Sequence, residues 1–205
     1  MATILKQLTL ADAQGTKVLN FVPTAFIARF TADEINTLLL HESSNSEPQG
    51  IRFHFEKNTV NATVGLIAVS LGVISIPDGS GGTVLHNREL TSGIKKYLRR
   101  GAATADLTAT EYQTQFPDQR EKLNSPNGII NSCIFFSRTD LQEILGQSGV
   151  TGIAFFSTTI ERTFTATREI YDSLVAVGTD SGGATLGMQI RSELPCPPHC
   201  GDDYP

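Results

Sequence analysis

Tryptophan is absent from the 205 residues, cysteine occurs three times and methionine twice. Cys133 stands far along the chain from the close pair Cys196 and Cys200, a spacing that describes no disulfide framework of the kind that staples small secreted domains. Basic residues are also in short supply, 16 Lys and Arg against 21 Asp and Glu, for a net charge of −5 and a pI near 5.3. A basic surface is what attracts nucleic acid or anionic lipid, so neither nucleic acid nor membrane is expected as a partner. Long hydrophobic runs are missing too. The most apolar stretch, VGLIAVSLGVISI, has 13 residues and is followed by Pro77; at helical rise it falls short of the hydrocarbon thickness of a bilayer, and it reads as a buried strand. The opening segment, MATILKQLTLADAQG, has one Lys and polar residues where a signal peptide would have its apolar core. That pattern points to a cytoplasmic protein. What remains is 40% hydrophobic, enough to bury a real core.

The informative feature is a repetition. FTADEINTLL begins at residue 30 and FSRTDLQEIL at residue 136. In each, a hydroxyl residue (Thr31, Ser137) precedes an acid three positions on (Glu34, Asp140), which approximates a capping box, the second weaker because Asp is shorter than Glu. Ile35, Leu38 and Leu39 then match Leu141, Ile144 and Leu145, the spacing that puts three side chains on one stripe of a helix. Both helices are flanked by segments rich in β-branched and aromatic residues: TAFIARF and SCIFF before, GIRFHF and GIAFF after. These read as strands. The correspondence continues in the same order, with LIAVSL answering LVAVGT and DGSGGTVL answering DSGGATL.

An internal duplication explains this pattern. Further helices are expected upstream of each copy, at LTLADAQGTKVL (8 to 19) and LTSGIKKYLRRG (90 to 101), where Ile94, Tyr97 and Leu98 would form an apolar stripe opposite Lys95, Lys96, Arg99 and Arg100. The expected fold is α+β, a duplicated helix-strand-helix-strand-strand unit with roughly six mainly antiparallel strands and helices packed on one side. Residues 1–88 form the first repeat and 89–192 the second, with an insertion at about 102–128 that holds one more helix broken at Pro117; 193–205 is a Cys/Pro-rich tail. A helix on about three strands has little core of its own, so the repeats are expected to share one.

The second copy, from SCIFFSRTDLQEIL through SLVAVGTDSGG to ELPCPPHCGDD, resembles a group of small uncharacterised proteins of Bacteroidetes-type bacteria that end in Cys-Pro-Pro-x-Cys. Those are typically one repeat long. The resemblance covers about half the chain, rests on Cys196-Pro197-Pro198-His199-Cys200 as its distinctive motif, and implies a fused pair that keeps the tail once. It implies no activity.

Three sets of residues carry candidate chemistry. In the tail, Cys196, His199 and Cys200 offer thiolate and imidazole, ligands suited to zinc, whose structural sites want four. A fourth would come from Cys133, His41, His54 or His86; otherwise the tail is a polar segment with free or locally bonded cysteines. In IRFHFE, alternation sends Ile51, Phe53 and Phe55 to one side and Arg52, His54 and Glu56 to the other, with Arg29 expected on the neighbouring strand. Two guanidinium groups suit an anionic small molecule, with His54 and Glu56 as acid and base; the alternative is a sheet face left wet. DGSGGT lacks the Gly-Lys-Ser/Thr of a phosphate-binding loop and reads as a hairpin turn. No nucleophile-base constellation assembles from the sequence. The leading expectation is therefore a non-enzymatic protein-binding or scaffold module, engaging a protein partner or itself, with a binding protein or enzyme for an anionic small molecule as the rival.

Overall fold

Thr31 ends one strand and starts one helix. Its backbone is extended (φ −70°, ψ 159°), its hydroxyl accepts from the Glu34 N–H at 3.3 Å, and its own N–H donates to Glu34 Oε2 at 2.8 Å, a complete capping box. Ser137 repeats the geometry (φ −67°, ψ 154°) and accepts from the Asp140 N–H at 3.0 Å, while Asp140, one methylene shorter than Glu, meets the Ser137 hydroxyl itself at 2.7 Å. The expected caps are both present, and the second differs as the shorter acid requires.

The computed structural model describes residues 16–18, 25–40, 48–58, 63–77, 79, 81–89, 96–100, 103–107, 133–164, 167–192 and 195–196. In chain order the elements are β1 (Thr16–Val18), β2 (Phe26–Thr31), α1 (Ala32–Leu39), β3 (Pro48–Asn58), β4 (Thr63–Pro77), β5 (Thr83–Glu89), β6 (Lys96–Arg100), β7 (Ala103–Leu107), β8 (Cys133–Ser137), α2 (Arg138–Leu145), β9 (Gly152–Phe164), β10 (Thr167–Thr179), β11 (Thr185–Arg191) and β12 (Pro195–Cys196). The fold is α+β and mostly antiparallel sheet. Among the described residues no helix is long and apolar enough to cross a membrane.

The strands form two sheets. The first runs β1-β11-β10-β9-β2; the second runs β12-β8-β3-β4-β6-β7, with β5 also pairing β4. The order exchanges partners between the two matched segments: β2 leaves α1, β3 and β4 to pair with β9, and β8 leaves α2, β9 and β10 to pair with β3. The registers correspond. Thr31 lies opposite Gly152 and Phe30 opposite Ile153, as Ser137 lies opposite Gly50 and Phe136 opposite Ile51. The hairpins agree as well, Gly50 with Leu71 and Gly152 with Thr179.

Gly50 and Gly152 show why these positions lack a side chain. A Cβ on Gly50 would run into the Phe136 carbonyl oxygen and the Phe135 ring; on Gly152 it would stand 2.6 Å from the Phe30 carbonyl oxygen. Neither position tolerates more than hydrogen without movement of the strand beside it.

One core serves both sheets and both helices. It takes Phe30, Ile153, Phe155, Leu174 and Ala176 from the first sheet, Ile51, Phe53, Leu66, Ala68 and Phe136 from the second, and the stripes Ile35, Leu38, Leu39 and Leu141, Ile144 from the helices. Four rings sit at its centre. Phe53 and Phe155 lie 4.4 Å apart, and Phe30 and Phe136 flank them with centroid distances of 5.7 and 5.8 Å on one side, 5.9 and 5.6 Å on the other. The helices were expected on one side of a sheet; instead each touches strands of both sheets, and they touch one another.

Two helical expectations give way. Residues 96–100 form β6, with Leu98 opposite Ile67 and Tyr97 opposite Ala68, and residues 16–18 form β1 on the edge of β11. The backbone groups of the sheet edges demand hydrogen-bonded partners, and a short apolar periodicity yields to that demand. Residues 103–107, inside the expected insertion, continue the sheet as β7, and the helix expected around Pro117 lies outside the described residues. The strand expected at 64 to 76 is β4. The Gly-rich segments are hairpin turns as expected, with Gly81 (φ 92°) between β4 and β5 and Gly183 (φ 86°) between β10 and β11, backbone values that favour glycine.

Candidate functional site

Because β3 alternates, Ile51 and Phe53 enter the shared core and Arg52 and His54 project from the opposite face of the second sheet. That face is not wet. Arg52 is 2% exposed and His54 1%, among buried Ile67, Val69 and Leu71 of β4 and Phe135 of β8. The register sets Arg52 between Val69 and Phe135, and His54 between Ile67 and Cys133. A guanidinium so enclosed is costly unless neighbours compensate it, and both residues are engaged within the molecule. His54 Nδ1 is buried and makes no hydrogen bond, although the residue interacts elsewhere.

Arg29 is not beside them. It sits on β2 opposite Ala154 in the first sheet, whereas the neighbours of β3 are β4 and β8. The expectation of a strand next to β3 assumed that each copy pairs with itself, and the exchange of first strands overturns it. Phe135 of β8 occupies the place where Arg29 was expected. With the two inner faces turned to the shared core, Arg29 lies on one outer face of the molecule and Arg52 and His54 on the other.

The Arg29 guanidinium has a structural task. Nε donates to Thr179 Oγ1 at 2.8 Å, and one terminal nitrogen donates to the Asp180 carbonyl at 3.0 Å and to Thr151 Oγ1 at 3.3 Å. It thereby ties β2 to the start of β9 and to the turn after β10. That turn is closed by Asp180, whose Oδ1 accepts from the Ala184 N–H at 2.9 Å. Thr151, Thr179 and Asp180 went unnoticed in the sequence; the matched Gly-Ile pair after each helix marks their place but not their partner.

Glu56 follows two positions after His54 on β3, and its side chain lies outside the described residues. Of the tail set, Cys196 belongs to β12, while His199 and Cys200 lie outside the described residues. Among the described side chains, no three His, Cys, Asp or Glu form a group suited to a metal ion. The structure therefore joins Arg52 with His54 and separates Arg29 from both.

The first sheet has a buried outer face of a different kind, made by Ala154, Phe156, Val175 and Val177. At its rim Phe26 packs edge-on against Phe156 with ring centroids 5.7 Å apart, beyond the irregularity where Phe26 opposes Phe156 and Ala28 opposes Phe155. Phe26 nevertheless keeps 49% of its surface exposed. No family model, curated protein or solved structure matches the chain.

Proposed function

We propose that the protein is a non-enzymatic binding module that docks a protein partner, or a second copy of itself, at the rim of its first sheet. The observation that carries this reading is Phe26, a ring half exposed on an edge strand and already backed by Phe156. Buried aromatic anchors dominate protein interfaces, and a ring held by a neighbour loses little conformational freedom when covered. The central strands carry buried residues on both faces, which leaves rims and turns as the accessible parts of the described sheets. A stable contact would bury more than about 1,000 Å².

The architecture behind this module is proposed to be a fused pair of sibling units. The two caps, the paired glycines, the exchanged registers and the four rings related in two matched pairs all support that origin. In a single-unit ancestor, the exchange would join two chains.

Size-exclusion chromatography with light scattering, and affinity capture from a lysate of the source organism, test the binding reading. The expected result is a dimer or a captured partner that is lost in Phe26→Ser, with the melting temperature of the variant close to that of the parent because the ring is half exposed. A strict monomer that captures nothing, or association indifferent to Phe26→Ser, overturns it.

A further inference from the structure

Two cysteines that lie 63 positions apart in sequence order, numbered 133 and 196, meet in the second sheet. In the antiparallel pair β8-β12, Cys196 is directly opposite Cys133 and Pro195 opposite Ile134. Opposed positions on antiparallel strands have Cα atoms roughly 4.5 to 5.5 Å apart, inside the range of about 4.4 to 6.8 Å that a disulfide spans. We propose that Cys133 and Cys196 form a dithiol/disulfide pair that fastens the tail to the edge of the second sheet.

A buried residue brings the chain to β8 ahead of that strand. Ser192, 2% exposed, carries the chain from the first sheet to the second: its N–H donates to the Leu174 carbonyl at 3.0 Å, its hydroxyl to the Phe135 carbonyl at 2.6 Å, and its carbonyl accepts from the Ser173 hydroxyl at 2.7 Å. Ser192 thus holds the chain beside β8, four residues before Cys196, through a bond to the residue two positions beyond Cys133. Pro195, Pro197 and Pro198 bracket Cys196 and favour extended backbone, which suits an edge strand. His54 occupies the next place in the same cross-strand row, opposite Cys133 from β3.

The chemistry balances with a small-molecule disulfide as oxidant. The Cys133 thiolate attacks one sulfur of oxidised glutathione and expels glutathione thiolate; the Cys196 thiolate then attacks the Cys133 sulfur of the mixed disulfide and expels the second. The two thiol protons end on the two released glutathione molecules, and the two cysteines are oxidised by two electrons.

The competing pairing is local, Cys196 with Cys200. Full-length protein is reduced, freed of reductant, incubated with oxidised glutathione, quenched by alkylation and mapped by peptide mass spectrometry, natively and in concentrated urea. The native protein is expected to give the Cys133-Cys196 cross-link as its main product, retained in Cys200→Ser and lost in Cys133→Ser. In urea the yield should fall several-fold in favour of Cys196-Cys200. Three free thiols after native treatment, Cys196-Cys200 as the main native product, or zinc retained after desalting and lost together with Cys196→Ser each overturn the pair.

Discussion

At the scale of single residues, the helix caps are where sequence and structure agree most closely, because a cap is a local device: the hydroxyl and the N–H that donates to it are three residues apart, and no distant strand is needed to form it. Thr31→Ala and Ser137→Ala are each expected to cost about 1 kcal/mol in denaturant titrations. Glu34→Ala should cost less than Thr31→Ala, since it leaves the hydroxyl-to-N–H bond of α1 intact. Equal costs for the pair would mean that the reciprocal Glu34 bond contributes as much to the cap as the hydroxyl does. Arg29, Arg52 and His54 show the opposite case. Alternation told which face of its own strand each occupies, but burial and company depend on what pairs and packs against that strand, and no local spacing encodes it.

Among elements, the strands rich in β-branched and aromatic residues that flank the two helices were legible, and so was β4 from its apolar run alone. Residues 96–100 were not. Ile94, Tyr97 and Leu98 satisfy a helical stripe over barely one turn, and a stripe that short is equally compatible with an edge strand once β4 offers its backbone. The two glycines that open β9 and stand near the start of β3 were legible as a matched pair, but their reason was not, since it lies in the carbonyl of a strand from the other half. Gly50→Ala and Gly152→Ala are expected to destabilise by about 1–3 kcal/mol each, as overpacking does. Gly50→Ala should be the worse, because its new methyl meets a backbone oxygen and the Phe135 ring, whereas Gly152→Ala meets a backbone oxygen and the movable end of Arg29. Urea unfolding of the two variants decides it; a neutral Gly50→Ala would show that β3 and β8 are not drawn together at that point.

Across the whole molecule, the four central phenylalanines join the sheets, two from each. Phe53 and Phe155 make the closest contact, tilted at 43° with centroids 4.4 Å apart. A double-mutant cycle of Phe53→Leu and Phe155→Leu should yield a coupling of about 0.5–1.5 kcal/mol, the range for aromatic pairs beyond their area burial. Strictly additive losses would place the rings in independent surroundings. The pairing of β2 with β9 and of β8 with β3 was not anticipated. Both self-pairing and exchange satisfy the same hydrophobic pattern, so composition and periodicity are silent between them.

That exchange has a consequence during synthesis. The chain leaves the ribosome from its amino terminus, yet β2 finds its antiparallel mate only when β9 has emerged; Arg29 and Thr151, bonded in the finished molecule, are 122 positions apart. The early hairpin of β3 and β4 can form while translation continues, but β2 must wait, with Phe30 and Ile27 not yet enclosed. A nascent protein of this design has a long interval in which an apolar segment needs shelter, and chaperone dependence should track that interval more closely than the stability of the completed fold.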